Sequence, residues 1–177
     1  MKRRHLGSLV AAMVAALSIA ATSAASPPRN FVTPLSGGEE VPARDTQARG
    51  VGIFQLAPDG ETMSYRLIAS NIENVFMAHI HVGPADGTGP IAVWLAPSTA
   101  IGVQLPPDGG RHDGVLATGT FTAANFTGPL AGADMDALVE LLATGGAYVN
   151  VHTSDGMDPP NTGAGDFPGG EIRGQID

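Results

Sequence analysis

The stretch Met77-Ala78-His79-Ile80-His81-Val82 decides the fold class, together with a similar stretch, Tyr148-Val149-Asn150-Val151-His152-Thr153. In both, small or aliphatic residues alternate with polar ones, which is the period of a half-buried β-strand. The residues predicted to face the core are Phe76, Ala78, Ile80 and Val82 in the first strand and Ala147, Val149 and Val151 in the second. Three histidines are therefore predicted to lie on polar strand faces and not to fill the core.

Other segments of the chain show the same two-residue period between turn signals. They are Phe31 to Leu35, Gly50 to Leu56, Thr62 to Ser70, Ile91 to Leu95, Val115 to Phe121 and Glu171 to Ile176. One stretch, Asp134 to Thr144, has helical spacing and a capping aspartate. The sequence therefore predicts an all-β domain, an antiparallel Greek-key-like sandwich or barrel with one short helix. Pro34 suggests that the first strand lies at a sheet edge, because proline cannot donate to a ladder.

The N-terminus has the pattern of a secretory signal peptide. Lys2, Arg3 and Arg4 precede a mostly apolar run, Leu6 to Ala21, and the small residues Ser23-Ala24-Ala25 follow. We predict a signal peptide over residues 1–25 and one exported domain over residues 26–177, periplasmic or extracellular. The apolar run falls short of the roughly 20 residues of a membrane span, and no later stretch predicts a span.

Composition excludes several classes of function. The net charge is −8, and an acidic surface repels phosphate backbones, so nucleic acid is not an expected partner. The chain contains no cysteine, which excludes disulfides and thiolate metal sites.

The histidines predict a metal site. Residues i and i+2 of a strand lie on one face about 6.5–7 Å apart, so His79 and His81 can converge on an ion that His152 also binds. Imidazole ligands suit copper, our first expectation, or zinc. The residues expected to add a ligand or to orient an imidazole are Met77, Met157, Asn150 and Glu171. Ligating imidazoles must be neutral, so binding is expected to weaken as the pH falls through about 6.5.

The metal site requires the Met77 strand and the Tyr148 strand to be neighbours, which the sequence does not show. An alternative interpretation involves no metal. The three histidines can instead hydrogen-bond one another or the backbone. His112 is predicted to lie at the surface in a long connection, Pro97 to Gly114. The pair Glu39-Glu40 is interpreted as a solvated loop pair, and Arg173 is expected to pair with a carboxylate.

Four motifs, taken together, are similar to one known family. They are Leu35-Ser36-Gly37-Gly38-Glu39-Glu40-Val41-Pro42, Ala78-His79-Ile80-His81, Tyr148-Val149-Asn150-Val151-His152-Thr153 and Gly169-Gly170-Glu171-Ile172-Arg173-Gly174-Gln175. In this order they resemble the CHRD domain, named for its occurrence in chordin, and they span nearly all of residues 26–177. The resemblance implies a β-rich extracellular or periplasmic domain and no defined biochemical activity.

A His-x-His strand in such a domain also resembles the copper site of copper–zinc superoxide dismutases. The match is confined to that motif, because the chain lacks paired cysteines and a zinc loop rich in histidine and aspartate, so dismutation is disfavoured. No nucleophile elbow or phosphate loop is present, and no catalytic residue is predicted. The alternative function is a non-catalytic extracellular binding or matrix module whose loops contact a protein or a carbohydrate.

Overall fold

The computed structural model describes residues 29–97, 110–157 and 163–177. The predicted signal peptide and most of the predicted long connection, residues 98–109, lie outside the described residues. The strands are β1 (Asn30–Ser36), β2 (Arg49–Leu56), β3 (Met63–Ile72), β4 (Val75–Val82), β5 (Ile91–Ala96), β6 (His112–Phe121), β7 (Ala147–Thr153) and β8 (Ile172–Ile176), and helix α1 is Met135–Ala143. Short 3₁₀ turns lie at Gly37–Glu39, Ala123–Asn125 and Gly128–Leu130.

The eight strands form one antiparallel sheet that curls into a nearly closed barrel. Their order is β5-β4-β7-β8-β1-β2-β3-β6. The two ends of the sheet approach each other where Val93 bridges Phe126 and the Thr127 N–H donates to the Ala92 carbonyl at 2.8 Å. The predicted fold class, an antiparallel sandwich or barrel with one short helix, is confirmed.

The helix begins and ends where the sequence predicts. Its N-cap, Asp134, accepts a hydrogen bond from the Ala137 N–H at 3.0 Å, which satisfies one of the free donors of the first turn. Its apolar face is buried in the same core as the strands, through Met135, Leu138, Val139 and Leu142. No helix in the described part of the chain is long and apolar enough to cross a membrane.

A sharp corner after β3 determines the neighbours of β4. Asn71 and Asn74 adopt left-handed backbone conformations, with φ of 54° and 53°, which asparagine tolerates better than most residues. The chain leaves β3 there and begins β4 elsewhere in the sheet, between β5 and β7. In the β4–β7 register, Met77 lies opposite His152 and His79 opposite Asn150. The adjacency that the predicted site requires is therefore present.

The prediction that Pro34 marks an edge strand is wrong. Strand β1 lies inside the sheet, between β8 and β2. Its ladder with β8 is short, with only Ser36 and Arg173 as paired residues. Farther along, the Thr33 hydroxyl donates to the Gln175 carbonyl at 2.6 Å. Proline is tolerated in this internal strand because the backbone ladder to β8 does not reach it. At this point the Thr33 side chain forms the hydrogen bond to β8 instead.

Candidate metal centre

The outer face of β4, β7 and β8 is polar, and its side chains form rows across the strands. Directly opposed residues of an antiparallel pair point to the same side of the sheet. The rows are Met77 and His152; His79, Asn150 and Arg173; and His81, Tyr148 and Gln175. The histidines thus lie on the predicted face, but that face is covered. His79 is fully buried, and His81 and His152 are 8% and 6% exposed.

The three histidines form one cluster. A ring nitrogen from each of His79, His81 and His152 lies within 4.8 Å of the other two. Within it, His79 Nδ1 and His152 Nε2 are 3.2 Å apart. Two nitrogens bound to a tetrahedral zinc ion at about 2.0–2.1 Å lie roughly 3.4 Å from each other, so this pair already has the spacing of two ligands. Among the described residues, no carboxylate joins the group.

Backbone carbonyls fix the tautomers of two of the imidazoles. The Nδ1 atom of His81 lies 2.9 Å from the Gly89 carbonyl oxygen, and that of His152 lies 2.9 Å from the Pro168 carbonyl oxygen. A carbonyl only accepts, so in both rings Nδ1 carries the hydrogen and Nε2 presents a lone pair. This is the arrangement by which metal-binding histidines are usually oriented.

The His79 ring contacts both of these rings and shares a hydrogen bond with that of His152. Because His152 Nε2 carries a lone pair and can only accept, the hydrogen between the rings is on His79 Nδ1. In the described structure the Nε2 atoms of His79 and His81 are buried without a hydrogen-bond partner. Buried polar atoms are nearly always paired. Of the two, the His81 Nε2 lone pair is the one that an ion shared with His79 Nδ1 and His152 Nε2 would pair.

Burial keeps the three imidazoles neutral. It lowers the pKa of His79 to about 3, helped by the neighbouring His152 and His81. It lowers the pKa of His152 to about 4 and also lowers that of His81, in each case against the effect of the carbonyl hydrogen bond. The expectation that proton competition begins near pH 6.5 therefore needs correction. That value applies to solvated imidazole, and burial moves the competition to more acidic pH.

Two half-exposed aromatic rings border the cluster. The Trp94 ring lies edge-on to His79 with 4.2 Å between ring centroids, and the Phe76 ring lies 6.3 Å from that of His152. Both side chains are 39% exposed. Phe76 was predicted to face the core, but a β-bulge between Val75 and Met77 breaks the two-residue alternation there. Trp94 was missed because the sequence does not reveal the pairing of β4 with β5.

His81 belongs to a stack of three side chains, with Tyr148 in the middle and Arg173 as the third member. The Tyr148 ring is parallel to the His81 ring within 7°, with centroids 4.9 Å apart. The Arg173 guanidinium carbon lies 3.5 Å from the Tyr148 ring centroid on a cation–π contact. The Tyr148 hydroxyl also accepts the Gly89 N–H at 3.0 Å. Gly89 therefore links the stack to His81, since its carbonyl orients that imidazole.

Arg173 holds the loop that follows β4. It donates to the carbonyl oxygens of Gly87 and Pro84, each at 2.7 Å, and to Gln175 Oε1 at 3.2 Å. The expectation that Arg173 pairs with a carboxylate is wrong: among the described residues its hydrogen bonds go to neutral oxygens. The cause is the close passage of the loop over β8, which brings carbonyls within reach of the guanidinium.

Glu40 lies beside the cluster. The sequence suggested a solvated loop residue, and this prediction is wrong. It is 6% exposed, and burial raises its pKa to about 7 although Arg173 and Arg44 act to lower it. Asn150 Nδ2 donates to Glu40 Oε2 at 3.4 Å, whereas Glu40 Oε1 and Asn150 Oδ1 have no partner in the described structure. A protonated Glu40 carries the hydrogen that Asn150 Oδ1 can accept, which gives a paired carboxylic acid and amide.

The remaining predicted residues have other surroundings. Glu171 is buried and accepts hydrogen bonds from Thr46 Oγ1 at 2.6 Å, Thr153 Oγ1 at 2.7 Å and the Gly165 N–H at 2.9 Å. Met77 is half-buried opposite His152, and Met157 is 70% exposed. His112 begins β6, where its Nε2 lies 3.0 Å from the Val115 carbonyl, and it is not part of the cluster.

The model of the CHRD domain matches residues 31–176, nearly the whole chain. No curated protein matches the sequence significantly.

Proposed function

The chain belongs to the CHRD domain family, and we propose that it binds one copper ion through His79, His81 and His152. The observation that carries this proposal is the convergence of three buried imidazole nitrogens within 4.8 Å. Two of the rings are held by backbone carbonyls so that Nε2 is the free nitrogen. For the ion to bind between His79 Nδ1 and His152 Nε2, the hydrogen on His79 Nδ1 would move to Nε2 of the same ring, which stays neutral.

The alternative, in which the imidazoles only hydrogen-bond, leaves nitrogens unsatisfied. A single hydrogen bond joins His79 and His152, and the lone pair of His81 Nε2 remains buried and unpaired. An unpaired buried polar group costs about 1–3 kcal/mol. An ion bound by the three rings removes this cost for His81 and uses the neutral imidazoles that burial provides.

The chemistry of the ligands favours copper over zinc. Imidazole suits both metals, and a given site with such donors binds Cu²⁺ more tightly than Zn²⁺. All three ligands are neutral, and no carboxylate in the described part of the chain joins them. A buried site without an anionic ligand favours an ion of low charge, which copper can supply as Cu(I). Met77, opposite His152, is the nearest candidate for an additional thioether ligand.

We further propose that the domain works outside the cytoplasm, in the periplasm or extracellular space. The support is the signal-peptide pattern of residues 1–25. The role is binding and not catalysis, since no nucleophile or acid–base pair accompanies the histidines in the sequence motifs.

Trp94, the only tryptophan of the chain, provides the test because it lies edge-on to His79. Titration of the purified protein with Cu(II) should quench its fluorescence with an endpoint at one ion per chain. Zn(II), with a filled d shell, should bind without comparable quenching. His81→Ala and His152→Ala should each weaken binding at least 100-fold, and the matched control His112→Ala should leave it unchanged.

Equal, weak binding by the wild type and by the His81→Ala and His152→Ala variants would contradict the proposal. A protein that contains no metal when purified from its native compartment, and that captures a protein or a carbohydrate, would favour the binding-module alternative.

A further inference from the structure

The geometry points to Arg173 as the residue that makes the site prefer Cu(I) over Cu(II), through the stack Arg173–Tyr148–His81. This inference rests on the proposed function and adds the oxidation state of the ion. Arg173 contacts no ligand atom directly, so its role is that of a positioning and charge-setting residue.

The charge of Arg173 is buried and fixed. The side chain is 1% exposed, and carbonyl oxygens of Gly87 and Pro84 hold its guanidinium at 2.7 Å. These acceptors are neutral and do not cancel the charge. Among the described residues, the one ion pair within 4.0 Å joins Arg111 and Asp113, on a different part of the surface. Arg173 is therefore a full positive charge beside a site whose ligands are all neutral.

The stack brings this charge close to the ion. The guanidinium carbon lies 3.5 Å from the centroid of Tyr148, whose ring lies 4.9 Å from that of His81. The ion would bind in the plane of the imidazole, at Nε2, so the two stacking distances and an Nε2–ion bond of about 2 Å place it on the order of 10 Å from the guanidinium. A second positive charge on the ion is repelled by Arg173, and at an effective dielectric constant of about 20 this repulsion is worth roughly tenfold in affinity. Arg173 thus disfavours Cu(II) relative to Cu(I).

The carboxylate of Glu40 opposes this effect. Glu40 lies close enough to Arg173 and Arg44 for both to act on its ionisation, and Glu171 is a further charged neighbour. Its partner Asn150 lies opposite His79 in the β4–β7 register. When Glu40 is ionised, it offsets part of the Arg173 field. Removal of this carboxylate should strengthen the preference for Cu(I).

The experiment compares the affinity ratio of the two copper ions in three forms of the protein. Cu(I) affinity is measured anaerobically, with ascorbate, by competition with bathocuproine disulfonate, and Cu(II) affinity by competition with glycine. In Arg173→Gln the ratio of Cu(I) to Cu(II) affinity should fall about tenfold. Arg173→Lys keeps the charge, and its ratio should stay within about threefold of the wild type. An unchanged ratio in Arg173→Gln, or an equal fall in both variants, would overturn the inference.

A second variant keeps the test valid if Arg173→Gln does not fold, which circular dichroism would reveal. Glu40→Gln at pH 8 removes the opposing carboxylate, so its Cu(I) to Cu(II) ratio should rise; an equal or lower ratio contradicts the inference. Copper binding in both oxidation states with a ratio insensitive to these residues refutes only the role of Arg173. A wild-type protein that binds neither Cu(I) nor Cu(II) refutes the proposed function as well.

Discussion

The Nδ1 atom of His79 lies 3.2 Å from the Nε2 atom of His152, although 73 positions separate the two residues in the chain. The contact exists because β4 pairs with β7 and not with the preceding strand, β3. An ion bound there would join two strands that are distant in sequence. It would therefore stabilise the folded state by an amount that grows with the logarithm of its affinity.

Replacement of Glu40 by Gln should stabilise the protein at pH 8. Burial raises the pKa of Glu40 from 4.5 to about 7, so stability from this group is present at low pH and is lost as the pH rises through 7. A glutamine can accept the Asn150 Nδ2 hydrogen bond through its Oε1 and donate to Asn150 Oδ1 through its Nε2, without a charge. The expected gain in unfolding free energy is up to about 3 kcal/mol at pH 8 and close to zero at pH 4.5. Urea unfolding at the two pH values measures it.

The control for this prediction is Glu39→Gln, a change at the exposed neighbouring residue. Its effect should stay within about 0.5 kcal/mol at both pH values. A Glu40→Gln protein that is less stable than the wild type at pH 8 would contradict the assignment of a strained, buried carboxylate.

The metal-free protein should lose stability as the pH falls below 6.5. The pKa of His79 is about 3 and that of His152 about 4, so the unfolded chain binds protons that the native state does not. Each of the two histidines should lower the unfolding free energy by about 1.2 kcal/mol between pH 6 and pH 5. The Glu40→Gln background is best for this measurement, because Glu40 contributes a slope of opposite sign.

In that background, His152→Gln should make the slope of stability against pH shallower, whereas His112→Gln should leave it unchanged. A slope that does not respond to His152→Gln would mean that this imidazole is not held neutral in the folded protein.

Gly89→Ala should weaken copper binding without removing any ligand. A Cβ at Gly89 would overlap the Val82 carbonyl, so the backbone must shift, and the Gly89 carbonyl orients His81. Loss of such an orienting partner typically costs 10–100-fold in metal affinity. Gly110→Ala, where a Cβ meets no described atom within 4 Å, is the matched control and should bind normally. Equal affinity in both variants, by the Trp94 fluorescence titration, would show that the carbonyl is dispensable.

The sequence predicted the strands and the faces of the histidines because both follow from a two-residue period. The period failed at Phe76, where a bulge rotates the side chain outward, and bulges leave no clear signal in a single sequence. A two-residue period also does not show that loops cover the polar face of β4, β7 and β8. The burial of Glu40 was missed for this reason.

The partners of the histidines were less predictable than the histidines themselves. Acidic or amide side chains were expected to orient the imidazoles, but the backbone carbonyls of Gly89 and Pro168 do so. Any residue type supplies a carbonyl, so sequence carries no information about this choice. Glu171 hydrogen-bonds instead to Thr46, Thr153 and Gly165.

The central claim is tested most directly by a crystal structure of the copper-loaded protein, with anomalous scattering measured at the copper edge. We expect one anomalous peak per chain, about 2.0–2.1 Å from a ring nitrogen of each of His79, His81 and His152, with the Nε2 atoms of His81 and His152 as ligands. A peak elsewhere on the surface, or three imidazoles that keep their hydrogen bonds with no ion between them at saturating copper, would contradict the account.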